Sequence, residues 1–454
     1  MEQQLKDALK RSNADYADVR VESDETTQVV YRGEELDTVS SGVFQGGIAR
    51  ACKNGGWGIR TFDSPDEVAD AVAEASQYAS LIGNDETVLA NVEPVSMDAP
   101  AALEEDFREV SFDDKVRMAS DYNDIILQAD PRIESSTVSY GDRFRRVYFA
   151  STRGTYFMEE RPRVRLHAVA VARDGDLVQR AQESVSSCRG YGCVRGLEHK
   201  MEEAAHRAVN LLEAPPCEGG VYPVILDPEL AGVFAHEAFG HLSEADGLYE
   251  NPKMRDLMYV GREMGAKGLN IVDDGSMPGM LGSSGVDDEG TPTGKTDLIR
   301  EGVLAGHLHG LETAGKMKAS PTGNARAIRR DVPPIVRMTN TYIEGGDEDV
   351  EEMIGDIDDG IYACSMQGGQ TMMEMFTFSA GYAYRIRNGQ VGELIRDVTL
   401  TGNVFETLQN MDGFGNDFRM IERGGGCGKG GQSPLPVTFG APHLRIQNVV
   451  VGGR

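Results

Sequence analysis

Residues His236-Glu237-Ala238-Phe239-Gly240-His241 place two imidazoles around a carboxylate, the residue types that hydrolytic metal chemistry needs. Two neutral imidazoles hold a divalent cation, and a neighbouring Glu can take a proton from water and hand it to a leaving amine. The spacing is unusual. In HExxH the histidines stand four apart and share one helix face. Five apart on a regular α-helix they diverge by roughly 140°. They serve one metal only if the helix ends, widens or bulges between them, and Gly240 sits where such a distortion is easiest. With 8 histidines in 454 residues, a pair at this spacing with Glu directly after the first is expected about 0.01 times by chance.

A catalytic zinc usually takes three protein ligands and leaves one position open. The nearby acids Glu244 and Asp246 are candidates for the third. So are His307 and His309, two apart on an expected strand and therefore facing one way. Cys427 is another, a thiol within the glycine run 424–431, where backbone can come close to a metal or substrate. Other motifs carry less. The stretch 290–296 (GTPTGKT) lacks the glycine a phosphate-binding P-loop requires, since Glu289 stands there, and it precedes a strand rather than a helix. The acids Asp273, Asp274, Asp287, Asp288 and Glu289 read as solvated loops rather than calcium ligands. Met372, Met373 and Met375 read as core or groove packing.

These residues need elements to hold them. Strand alternation at 222–226 is followed by a helix over 228–240, with Asp227 as N-cap and Pro228 in its first turn. The histidine motif therefore ends a short helix. The Pro- and Gly-bearing stretch 214–220 marks a boundary between residues 1–214 and 215–454. Before it, helices are expected at the start, at 66–81, 111–129 and 197–213. Strands are expected at 16–22, 27–32, 42–52, 57–62, 133–140, 144–151, 155–161 and 163–172. After it, extended segments dominate, including 302–309, with short helices at 347–355 and 402–410. The fold class is α+β: an N-terminal mixed domain and a strand-rich, barrel-like C-terminal domain carrying the metal site.

Composition narrows the function. A net charge of −28 with no long Lys/Arg run argues against direct nucleic-acid binding. The first residues lack a secretory apolar core, and no apolar stretch is long enough to span a membrane. Six scattered cysteines do not make a disulfide framework, so a reducing cytoplasm is expected.

The order of blocks resembles the TldD/PmbA family of metallopeptidases. It runs from the 236–241 hexapeptide through Asp287-Asp288-Glu289-Gly290-Thr291-Pro292, 298–304, Pro321-Thr322-Gly323-Asn324-Ala325-Arg326 and Gly368-Gly369-Gln370 to the Cys427 loop, with an N-terminal echo at 55–60. Retention of the hexapeptide and the distant Cys resembles the TldD-type member, whereas the PmbA-type (TldE) member lacks the metal site. The resemblance implies His236, His241 and Cys427 as ligands of one zinc per chain and Glu237 as general base. It implies a cavity admitting unfolded or extended peptides, and a homodimer or a heterodimer with a metal-less paralogue. The competing expectation is a non-catalytic scaffold subunit whose metal is structural or absent.

Overall fold

The computed structural model describes all residues except 84–86, 373, 424–425 and 453–454. Met373 of the methionine cluster and Gly424 and Gly425 of the glycine run thus lie outside the described residues. The N-terminal half is one seven-stranded sheet ordered β3-β2-β1-β5-β6-β4, with β7 also on β6. Its strands are β1 (Tyr16–Arg32), β2 (Glu35–Lys53), β3 (Gly56–Phe62), β4 (Ser96–Ala99), β5 (Ile133–Ser151), β6 (Tyr156–Asp174) and β7 (Leu177–Ser187). The helices are α1 (Glu2–Leu9), α2 (Val68–Ile82), α3 (Phe112–Gln128) and α4 (Glu198–Glu213).

Pairs of expected strands prove to be single long ones. Residues 16–22 and 27–32 fuse in β1, 133–140 and 144–151 in β5, and 155–161 and 163–172 in β6. Pro162 does not end β6; it sits opposite Phe144 in unbroken register. β7 was not among the expected strands.

β1 shows why this sheet is deeply buried. Ala17, Val19 and Val21 face a core shared with α1 and α2. The alternate residues Asp18, Arg20, Glu22 and Asp24 are charged yet at most 4% exposed. They meet the C-terminal half rather than solvent. Arg50 bonds Asp18 and reaches Glu289 at 3.1 Å; Arg161 reaches Asp288 at 2.7 Å; Arg20 donates to the Arg329 and Val332 carbonyls. The reading of Asp287, Asp288 and Glu289 as a solvated loop is corrected here, because all three are buried. Asp288 and Glu289 are spent on arginines of the sheet and on backbone N–H groups, the condition for burying a charge, and Asp287 accepts from three backbone N–H groups. Asp273 is likewise buried, accepting from Asn324, Thr339 and Thr341.

The C-terminal half begins with β8 (Gly220–Leu226). β8 pairs with strands Asp359–Met372 and Leu444–Gly452, and the ring continues through Thr399–Asn403 and Met375–Arg387 back to Asp359–Met372. These five strands close a barrel, as the strand-rich pattern implied. A six-stranded sheet lies alongside, with Ile271–Asp274 and Asn340–Ile343 at its centre. Helices at Ala245–Glu250, Pro252–Leu257 and Leu311–Met317 were not expected, and the expected 302–309 strand shrinks to Val303–Leu304. No helix among the described residues is long and apolar enough to cross a membrane.

Candidate metal centre

The histidine motif follows directly from the barrel. β8 delivers Asp227, whose carboxylate caps α5 (Pro228–Phe234) by accepting from Leu230 N–H, and accepts Ser365 N–H from the neighbouring barrel strand. Burial, its largest cause, holds the Asp227 carboxyl above the usual range, against the backbone N–H groups that lower it. Phe234 closes the helix by meeting Phe376 and Phe378 edge-on, so α5 is fixed at both ends to barrel strands.

After Phe234 the helix widens. Residues Ala235–Gly240 form a π-helical turn, and His241 N–H bonds to His236 C=O, an i→i+5 bond. Five residues now span close to one turn, and the imidazoles of His236 and His241 lie 5.3 Å apart, centre to centre. Gly240 is not the source of the distortion: its φ of −56° and ψ of −47° are ordinary right-handed helix. Its glycine is steric, since a Cβ there would lie 2.0 Å from Met338 Sδ.

Cys427 arrives on a hairpin. Cys427–Lys429 pairs with Gln432–Leu435, and Gly430 and Gly431 (φ +57° and +76°) make its two-residue turn. Cys427 Sγ lies 3.2 Å from His241 Nε2. One ligand atom from each of His236, His241 and Cys427 lies within 4.8 Å of the other two. Bonds of zinc to nitrogen and sulfur place tetrahedral ligand atoms about 3.6 Å apart. The donor set of two imidazoles and a thiol thus fits one zinc with small inward movement. Burial raises the Cys427 thiol, but the His236 and His241 rings more than offset it and bring it down to about 5, so the thiolate is present at neutral pH. Burial lowers His241, but Cys427 and Glu244 outweigh it and raise it to about 10 in the metal-free chain.

The alternative ligands occupy other places. Glu244 accepts from His241 Nδ1–H at 3.0 Å, behind the imidazole rather than beside the thiol. It is 2% exposed, and its carboxyl is held low because His241 and Lys429 overcome the upward push of burial. Lys429, two residues after Cys427, bonds Glu244, Asp246 and the Val336 carbonyl, tying the hairpin to the segment after the motif. His307 bonds the Met258 carbonyl and His309 bonds Thr313 Oγ1. Glu237 lies on the open side, 30% exposed, with its carboxylate 3.8 Å from His241 Nε2. The sequence does not show the roles of Glu244 and Lys429 in holding the site; an acid three residues after His241 is the one local signal for the first.

Arg423 adds a further tie. It bonds Glu229 in the first turn of α5 and Ser365 in the barrel, fixing the chain just before the Cys427 loop to the helix that carries the histidines.

Among known proteins, the chain matches three successive family profiles. These are PmbA/TldA metallopeptidase domain 1 over residues 17–79, the central domain over 105–212 and the C-terminal domain over 219–453. A metalloprotease of Synechocystis is 45% identical over 98% of this chain and 96% of its own length. A protein of Saccharolobus solfataricus named a zinc metalloprotease TldD homolog is 30% identical over 97% of each chain. The crystal structure of TldE from Thermococcus kodakarensis superposes with a TM-score of 0.79 at 21% identity over 100% of each chain, a likeness of fold. Carrying all three domains in order and this identity over nearly its whole length, the chain belongs to the PmbA/TldD family of metallopeptidases.

Proposed function

We propose that this protein is a zinc-dependent peptidase acting on short or unfolded, extended peptides. His236, His241 and Cys427 hold one zinc per chain, and Glu237 is the general base. The observation that carries this is the π-turn, which brings two histidines five residues apart onto one thiol while leaving Glu237 on the open side. The name of the Saccharolobus relative supports zinc. A zinc bound here would supply Lewis acidity to water and to the scissile carbonyl. The chain's own residues do the rest. The thiolate and imidazoles bind, Glu244 orients His241, and Glu237 takes a proton from water and passes it to the departing amine. Extended peptides suit the hairpin 427–435, which forms a two-stranded sheet of its own among the described residues, beside Cys427.

The same reading places the domain division at 214/215, supported by sheets whose strands all fall on one side of it. It places the protein in the cytoplasm, supported by six free cysteines. It pairs the chain as a homodimer or with a metal-less paralogue, supported by the shared fold of TldE. Replacing Glu237 by Ala leaves zinc content near one per chain while casein or peptide cleavage falls at least ~100-fold. Cleavage at the native rate overturns the role of Glu237. Less than about half a zinc per native chain, with no chelator-sensitive cleavage, favours the scaffold reading instead.

A further inference from the structure

A cavity of about 570 Å³ lies between the N-terminal sheet and the C-terminal half. It is lined by Arg143, Arg145, Arg161, Arg163, Arg189 and Arg326, a concentration of positive charge inside a chain of net charge −28. The acids in its wall are already engaged. Glu159 accepts from Arg161 and Gly285 N–H, Glu160 from Arg146 and Ala101 N–H, and Asp288 from Arg161 and Ala327 N–H. Asp287 takes three backbone N–H groups. Arg143 and Arg145 are matched by Asp24 and Glu22.

Arg326 is different. Its guanidinium donates to two carbonyls, Met338 and Pro436, and makes no ion pair among the described residues. Burial, then the charge of Arg337, brings it down to about 10. Arg337 directly follows the strand paired with Ala325–Arg326, close enough for its charge to act on Arg326. It is 0% exposed and gives one N–H to the Gln432 carbonyl, and its Nε and second terminal nitrogen find no acceptor among the described residues. Asp288 and Asp273 act on Arg326 without pairing directly with it, and the two free nitrogens of Arg337 leave a buried cation under-satisfied, which is costly unless an anion joins it.

The cavity lies beside the metal centre, although none of His236, Glu237, His241 and Cys427 lines it. Leu435 lines it and is the strand partner of Cys427. Arg326 holds the carbonyl of Met338, whose sulfur fills the space beside Gly240. We propose that this cavity is the subsite for a carboxylate of the substrate peptide, received by Arg326 with Arg163 while the scissile bond lies at the His236/His241/Cys427 centre. This rests on the peptidase reading and names its substrate class: peptides bearing a carboxylate within a few residues of the cut, either the chain terminus or an acidic side chain. The volume lies within the range of pockets that enclose small ligands, and the planar guanidinium fork matches a carboxylate.

The test uses full-length protein carrying Glu237→Gln, which binds without cutting, and a fluorescein-labelled Ala/Leu hexapeptide in three forms. These are a free C-terminal acid, a C-terminal amide, and an amide with one internal Glu. Anisotropy titration is expected to show an acid form binding about tenfold tighter than the neutral amide. Preference for the free acid alone identifies the terminus; preference for the Glu amide identifies a side chain. Added Arg326→Gln or Arg163→Gln brings the ratio toward one. Because Arg326 also ties two carbonyls, Arg163→Gln is the control should R326Q fail to fold. Equal binding of all three forms, or a preference surviving in both variants, overturns the subsite. The two readings fail separately. Cleavage of the neutral amide by native protein without carboxylate preference keeps the peptidase and removes the subsite. Selective binding with no cleavage by the zinc-loaded native protein does the reverse.

Discussion

His241 shows how one side chain is specified by groups that never touch a ligand. Its Nε2 faces Cys427, and its Nδ1 is held by the buried carboxylate of Glu244, itself held by Lys429. The chain Lys429–Glu244–His241 selects the tautomer and aims the ring, as carboxylate–histidine pairs behind metals do. Replacing Glu244 by Gln removes the charge and keeps the shape. Zinc affinity measured by chelator competition is then expected to fall about 10–100-fold, alongside a lower thermal melt from the broken buried pairs with Lys429 and His241. An unchanged affinity assigns Glu244 to packing alone. The types at 236, 237, 241 and 427 were legible as chemistry in the sequence. The position of Glu244 behind the ring was not, because a carboxylate three residues on can sit beside a metal or behind its ligand with the same spacing.

At the scale of the element, the π-turn answers the question posed by the extra residue in the motif. A regular helix over 236–241 would splay the imidazoles; an i→i+5 bond between His236 and His241 restores one face. The sequence pointed to Gly240 as the place of distortion, yet the backbone there is ordinary helix and the glycine makes room for Met338. Met338 is 0% exposed, so Gly240→Ala is expected to destabilise the fold by about 1–3 kcal/mol in chemical denaturation. Combining it with Met338→Ala should cost less than the sum of the two single changes. Additive costs would mean that the methyl finds room without moving the sulfur. Helix boundaries at Asp227 and Ser111 followed from capping chemistry and hold, since an N-cap is a local interaction. The breaks expected within β1, β5 and β6 do not occur, because pairing with long neighbours overrides the local turn and proline signals.

For the whole molecule, the charged face of the N-terminal sheet is the surface on which the C-terminal half is seated. Asp288 meets Arg161, and Glu289 meets Arg50, both in buried pairs. Burial raises the Asp288 carboxyl, but Arg161, Arg145 and Arg20 overcome this and hold it well below the usual range. A carboxyl lower in the folded than in the unfolded chain contributes stability above its unfolded value, about 4, and loses it as pH falls further. Melting temperature should therefore fall on acidification below about pH 4, and Asp288→Asn should flatten that limb while costing about 3 kcal/mol at neutral pH. Asp287, held high by burial and then Glu289, acts in the opposite sense: its contribution is lost as pH rises, so it leaves the acid limb to Asp288. An acid limb identical in the Asn variant would show that Asp288 does not join the halves.

The donor types of the centre, the cap that starts its helix, the strand-rich character of the second half and the family of the whole chain are legible in the residues alone. Each rests on local chemistry or on residue order. Three-dimensional packing alone sets the widening of the helix, the position of Cys427 rather than His307 or His309 against His241, and the burial of Asp287, Asp288 and Glu289 as links rather than solvated loops. It also decided that arginines from both halves gather around one cavity. These outcomes depend on which distant segments share a volume. Cys427 stands 186 residues from His241, and the partners of Glu289 and Asp288 lie 239 and 127 residues away. No local period or spacing encodes such distances; the closure of a barrel and the seating of a sheet against it do.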